Sequence, residues 1–346
     1  MTLALDTVDM FGVTARLPEQ VAAAAKVARG IEGLPTREEI ENVVVLGMGG
    51  SGVAGDILLA TAAPLMPVPV VVVKSYSSPA FVDEHSLVFV ISCSGDTEET
   101  IEAAAEAAMQ GARLVCVTSG GELGRLADEW GAPVVPVPGT DEIPFPRAGL
   151  GAMAVPPLVV LEDVGLFPGA AEWIDDAVRQ LQRRRDELVK HENPATALAR
   201  RIGRTIPLVH SANALGAAAA MRWKCQINEN ANAPAFHAVM PELCHNEIQG
   251  WGQHGDATRQ LVTIVNLRHD AEHPQIGRRY ELYSELVGEV VAGIEDVRAE
   301  GDGDLAQLFD LIIFGDFVSL YMAGQEGIDP GPIPALVELK QRLSEG

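Results

Sequence analysis

Basic residues are scarce in this chain, and cysteines scarcer. Across 346 residues, 25 lysines and arginines stand against 48 aspartates and glutamates, a net charge of -23. So acidic a surface repels a phosphate backbone, which argues against nucleic-acid binding. The four cysteines, Cys93, Cys116, Cys225 and Cys244, lack CxxC spacing, so neither a disulfide framework nor a zinc knuckle is expected. Long apolar runs are missing too. The most conspicuous uncharged stretch, 57–73, contains Pro64, Pro67 and Pro69 and falls short of a membrane span. No basic block followed by an apolar one marks the N-terminus as a signal peptide. The expectation is a cytoplasmic protein with no nucleic-acid or membrane partner.

What the chain does have is enough apolar residue, 47%, to exclude wholesale disorder, and enough length for about two domains. Short β-branched runs alternate with alanine-rich helical ones, the grammar of a parallel sheet covered by helices. Strands are expected at 43–46, 70–73, 87–91, 114–118 and 134–137, after which prolines and glycines between Pro133 and Gly151 interrupt the pattern. An amphipathic segment from 171 to 191 reads as a connector helix, with Arg183, Arg184 and Arg185 towards water. The grammar then resumes: a strand at 206–210, a small-residue turn at 211–216, a helix at 217–227, a strand at 261–267 and a helix at 278–288. A proline-rich turn, 329–334, leads to a short helix at 335–343 that is placed to fold back over a site. The fold class is therefore α/β, with two related domains, each a parallel sheet flanked by helices in three layers. The divisions expected are 1–165 for an N-terminal arm and first domain, 166–194 for the connector, and 195–346 for the second domain and tail.

Two turns carry most of the chemical signal. In Ser92-Cys93-Ser94-Gly95-Asp96-Thr97, hydroxyls and a glycine separate a strand from a helix start, whose unpaired amides and positive dipole end suit a phosphate ester. The same residues also suit an ordinary capped loop, since Ser, Asp and Thr cap helices. The second turn, Gly47-Met48-Gly49-Gly50-Ser51-Gly52, fits a dinucleotide-binding glycine pattern. However, the acid expected about twenty residues on is replaced by Lys74 and Ser75, which disfavours NAD. Two such turns after two strands suggest convergence on one phosphate. His269 and His273 are four apart, but Pro274 and polar neighbours suggest an exposed loop rather than a metal site.

Taken in order, GMGGSG, SCSGDTEET, FPR, NENA, ELCHNEIQGW and a late LKxxL resemble the bifunctional phosphoglucose/phosphomannose isomerases, which are built from two sugar isomerase (SIS) domains. The resemblance runs from about Val43 to Leu343. It implies two flavodoxin-like SIS domains and interconversion of glucose 6-phosphate or mannose 6-phosphate with fructose 6-phosphate through a cis-enediolate, without metal or other cofactor. It also implies a homodimer, because family sites take a histidine from the neighbouring subunit. By the same resemblance, Gly50, Ser51, Ser92, Ser94 and Thr97 hold the phosphate, Glu229 is the base, Arg147 stands beside the enediolate, and His245 and Lys340 open the ring.

Those residue types suit the chemistry. A carboxylate held near C1 and C2 can carry a proton between them. A fixed guanidinium stabilises charge on the enediolate oxygens. Histidine and lysine can move protons at the ring oxygen and anomeric hydroxyl. Bland readings stand beside these: Arg147 pairs with Asp141 or Glu142, Lys340 lies on the polar face of the last helix, and His245 is a loop histidine. The chain departs from the family at Asn232, where lysine is common, at Cys244, where asparagine is common, and at Cys93, where an aromatic is frequent. These bear on pocket shape and on preference between the two aldoses. A noncatalytic sugar-phosphate sensor is the other reading, and it needs neither Glu229 nor Arg147.

Overall fold

The computed structural model describes residues 5–345, and contains two separate parallel sheets. The first joins β1 (Asn42–Leu46), β2 (Val70–Val73), β3 (Ser86–Ile91), β4 (Arg113–Thr118) and β5 (Val134–Pro136) in the order β2-β1-β3-β4-β5. The second joins β6 (Ile206–Ala212), β7 (Phe236–Met240), β8 (Val262–Arg268) and β9 (Gly293–Arg298) in the order β7-β6-β8-β9. β1 shows how the sequence makes the layers. Val43 and Val45 pack into the large central core, whereas Val44 and Leu46 pack on the other face against Ala103, Ala104 and Leu123. With both faces covered, a period-two strand reads as an unbroken valine run.

The centre of the molecule is helix Asp304–Glu326, in which every residue from Leu305 to Ala323 is buried. It is long and apolar enough to cross a membrane, but the qualifying stretch lies wholly inside the protein. Two of its three aspartates, Asp310 and Asp316, are buried, and each meets an arginine. Asp310 pairs with Arg184, whose Nε donates to Oδ1 at 2.8 Å and Nη2 to Oδ2 at 2.9 Å. Asp316 pairs in the same forked way with Arg222, at 3.0 and 2.9 Å. All four residues are at most 5% exposed. Removing one partner of such a pair would leave a buried charge alone, at a cost of about 3–5 kcal/mol.

Three expectations are corrected here. Arg184 does not face water with Arg183 and Arg185: it is buried on helix Ala170–Leu188, because Asp310 supplies a partner from the central helix. The turn expected at 211–216 is much tighter, since β6 runs to Ala212 and helix Asn213–Asn230 begins at once, with Asn213 at φ 56°. His269 is not on an exposed loop. It is 1% exposed, with Nε2 3.0 Å from the Ala212 carbonyl oxygen, while His273 caps helix Pro274–Val287.

Candidate functional site

In the first sheet, the strand order reverses direction between β1 and β3, and open α/β sheets bind ligands at the carboxyl ends of such strands. Those ends carry the two turns singled out in the sequence. After β1, helix Gly49–Thr61 starts on Gly49 at φ 53° with no side-chain cap. After β3, helix Glu98–Met109 follows Thr97, again with no side chain capping its amides. The capped-loop reading is therefore not realised. Gly95 makes the second turn possible: it sits at φ 79°, and a Cβ there would lie 1.9 Å from the Gly120 carbonyl oxygen.

The hydroxyls differ in exposure, and those of the second turn all bond within it. Ser92 is fully buried, accepts the Gly95 amide at 3.2 Å and lies 3.1 Å from Thr97 Oγ1, so it braces the loop from within. Ser51 is buried with its Oγ 3.2 Å from the Met153 sulfur. Ser94 is exposed and its Oγ accepts the Asp96 amide at 3.3 Å, while Thr97 is partly exposed and its Oγ1 is the partner of Ser92. Cys93 is buried, and burial pushes its thiol up to about 11, which suits an inert core residue rather than a nucleophile.

The glycine turn also links the phosphate candidates to Arg147. A Cβ on Gly47 would approach the Ile91 carbonyl oxygen at 3.0 Å, and one on Gly50 would lie 3.4 Å from the Pro146 carbonyl oxygen and 3.5 Å from Arg147 Cα. Arg147 is 3% exposed. Its Nε donates to Asn230 Oδ1 at 2.9 Å, and Nη2 donates to the carbonyl oxygens of Pro330 and Gly331, each at 2.6 Å. The proline-rich turn near the C-terminus thus folds back onto Arg147, pinned further by Asp329 through Thr7, whereas the helix after it, expected to cover a site, is exposed from Pro334 to Leu343. A guanidinium has five N–H groups, and these contacts engage three. The two on Nη1 remain, and Nη1 lies 3.6 Å from Glu229 Oε2, too far for a hydrogen bond. Arg147 therefore pairs with neither Asp141 nor Glu142.

Glu229 lies in the last turn of helix Asn213–Asn230, with its side chain one-third exposed. The helix packs on helix Gly49–Thr61, which carries Gly50 and Ser51, so the acid and the first of the two turns come from opposite halves of the molecule. A helix C-terminus repels a carboxylate, and the Arg147 charge opposes that repulsion. Burial holds the Arg147 guanidinium below its ordinary pKa, an effect that Glu229 offsets and Arg222 reinforces.

Sequence reasoning missed the supports of this pair. Asn230 joins Arg147 to Ser319, whose hydroxyl donates to the Asp316 carbonyl, and Arg222 donates to the Arg147 carbonyl oxygen at 2.6 Å. Only Asn230 had a local signal, as the next residue of NENA. The structure does not bring the other two candidates in. His245, at the end of the short turn Glu242–His245, and Lys340, on helix Pro334–Ser344, are both exposed. Among the described residues, neither forms a hydrogen bond or ion pair with Arg147 or Glu229. A cavity of about 570 Å³ elsewhere, between helix Leu17–Ala28 and β5, contains none of the candidate residues.

Residues 38–132 match the SIS domain model, and residues 191–343 match the bacterial phospho-glucose isomerase C-terminal SIS domain model. A bifunctional phosphoglucose/phosphomannose isomerase of Caldicellulosiruptor bescii is 34% identical over 97% of this chain and 99% of its own length. A protein of the same description from Aquifex aeolicus is 32% identical over 88% of this chain and 91% of its own. Tagatose-6-phosphate ketose/aldose isomerase of Escherichia coli shares the fold with a TM-score of 0.67 at 15% identity, covering 96% of this chain and 98% of that one.

Proposed function

Because the chain belongs to the bifunctional phosphoglucose/phosphomannose isomerase family, we propose that Arg147 and Glu229 are the centre at which it isomerises its sugar phosphate. The protein is an aldose–ketose isomerase that interconverts glucose 6-phosphate, mannose 6-phosphate or both with fructose 6-phosphate. In the proposed mechanism the 6-phosphate binds the amides of Gly50 and Ser51 and the turn from Ser92 to Thr97, with Ser94 and Thr97 donating hydroxyls. Ser92 serves this site by bracing the turn. Glu229 takes the C2 proton of the open-chain aldose and returns it to C1, while the proton of the C2 hydroxyl passes to O1, so that the C1 carbonyl becomes a hydroxyl and the C2 hydroxyl becomes a carbonyl. Arg147 stabilises the enediolate between the two transfers.

The observation that carries this reading is the division of labour on Arg147. Three N–H groups hold the guanidinium still, and the two left on Nη1 border the carboxylate without bonding to it. Such an arrangement is prepared for an oxygen that gains charge during the reaction. His245 and Lys340 are proposed to open the ring, with His245 supplied across a homodimer interface. The four free cysteines support a cytoplasmic location. A coupled assay of the purified protein with glucose 6-phosphate, mannose 6-phosphate and fructose 6-phosphate tests the function. Turnover of at least one aldose is expected; binding of all three without turnover would replace the isomerase with a sensor.

A further inference from the structure

His245 projects from a segment that is fastened on both sides of it. On the N-terminal side, Leu243 is 2% exposed and packs into the apolar cluster of the second sheet with Met240, Ile264 and Tyr283. On the C-terminal side, Glu247 turns inward. Its Oε1 accepts from the Tyr283 hydroxyl at 2.7 Å and lies 2.8 Å from Nε2 of His210, a fully buried residue of β6. Trp251 Nε1 donates to the Tyr283 oxygen at 2.5 Å, and the His210 ring stands edge-on to Tyr283 with centroids 5.1 Å apart. Asn246 completes the fastening, accepting the Glu247 amide at 2.7 Å and donating to Glu242 at 2.9 Å. Burial pushes the Glu247 carboxyl up, but the hydrogen bonds with His210, Tyr283 and Trp251 outweigh it and hold the group below its ordinary value.

We propose that Glu247 is a positioning residue for the isomerase reaction: by clamping the 242–250 segment onto His210 and Tyr283 it fixes where His245 projects. The inference rests on the ring-opening role given to His245 above. The segment has no strand of its own, only two short helical turns, so side-chain anchors decide its position. Losing the carboxylate leaves His210 Nε2 and the Tyr283 hydroxyl buried without this partner, which destabilises the local network as well as freeing the loop. A misplacement of about 1 Å at a reacting group can cost on the order of 100-fold in rate.

The test is a double-mutant cycle of Glu247→Ala and His245→Ala in the full-length protein, read as kcat and KM for glucose 6-phosphate or mannose 6-phosphate. Glu247→Ala alone should lower kcat at least about tenfold with KM within about threefold, whereas in the His245→Ala background it should lower kcat less than about twofold further. Glu247→Gln, which keeps an acceptor oxygen for Tyr283 and His210, should restore most of the activity. If Glu247→Ala proves poorly folded, Tyr283→Phe takes its place in the same cycle, with a smaller loss expected. Losses that multiply, or a wild-type kcat for the folded single variant, would overturn the inference. Full activity of His245→Ala would overturn it differently, by removing the role it serves while leaving Arg147 and Glu229 untouched.

Discussion

Replacing Arg147 by lysine keeps the positive charge and discards the fork that orients it. The guanidinium now spans Asn230 Oδ1 at 2.9 Å and two carbonyl oxygens at 2.6 Å, with Nη1 left beside Glu229. A single ammonium cannot reach all of these positions. Losing two charge-assisted hydrogen bonds at roughly 1.5–3 kcal/mol each costs about 3–6 kcal/mol, part of which the turn at Pro330 and Gly331 recovers by relaxing towards water. Losing an aimed donor to a developing oxyanion costs about 2.7–4 kcal/mol in the transition state, or roughly 100- to 1,000-fold in kcat. The two effects separate experimentally. A coupled assay should show kcat down by that factor, while calorimetry with the sugar phosphate shows affinity within about threefold, since the phosphate turns are intact. A variant that melts earlier than wild type but turns over within about fivefold of it would make Arg147 a structural residue and refute the reasoning.

Subunit sharing predicts complementation: His245→Ala and Glu229→Gln chains, each inactive alone, should regain activity when unfolded together and refolded, and no recovery in demonstrated heterodimers would place the whole site in one chain. Gly95→Ala forces a Cβ into the Gly120 carbonyl at a positive φ, so it should cost roughly 3–5 kcal/mol by urea denaturation; a loss below about 1 kcal/mol would contradict that geometry. His237 is held below its ordinary value of 6.5 by burial and by Lys224 and Lys74, against an opposing pull from Asp56. A depressed pKa favours the neutral ring in the folded state. Its contribution is therefore complete above pH 6.5 and shrinks as pH falls towards the folded value, by at most about 1.4 kcal/mol per pH unit. The stability gap between wild type and His237→Gln should narrow accordingly between pH 7.5 and 5.5, and parallel curves would refute the shift.

The first sheet was legible because its strands are buried on both faces and read as valine runs. β7 and β9 were not: β7 is a half-exposed run of only five residues interrupted by His237, and β9 carries Glu295, Asp296 and Arg298 on a sheet edge, which hides its apolar positions. The central helix escaped for the opposite reason, since a helix buried all round has no amphipathic period and its aspartates read as surface charges until Arg184 and Arg222 are seen against them. The two turns proposed to hold the phosphate announced themselves locally, by glycines and hydroxyls after strands. Arg147 and Glu229 had no local signal. They are 82 residues apart in sequence and become a pair only when helix Asn213–Asn230 of one half packs against helix Gly49–Thr61 of the other, so an ordered resemblance was the only route to them.

The account depends most on a proton passing through the Glu229 carboxylate, and solvent hydrogen exchange reads that directly. Glu229 is one-third exposed, so a proton it carries can trade with water before it returns to carbon. In deuterium oxide, wild-type protein acting on fructose 6-phosphate should place deuterium at C2 of the aldose product, as seen by proton NMR. Glu229→Gln should bind the sugar phosphate with similar affinity yet slow both isomerisation and deuterium uptake at least about 100-fold. Deuterium uptake and turnover at wild-type rates in a Glu229→Gln protein would contradict the account.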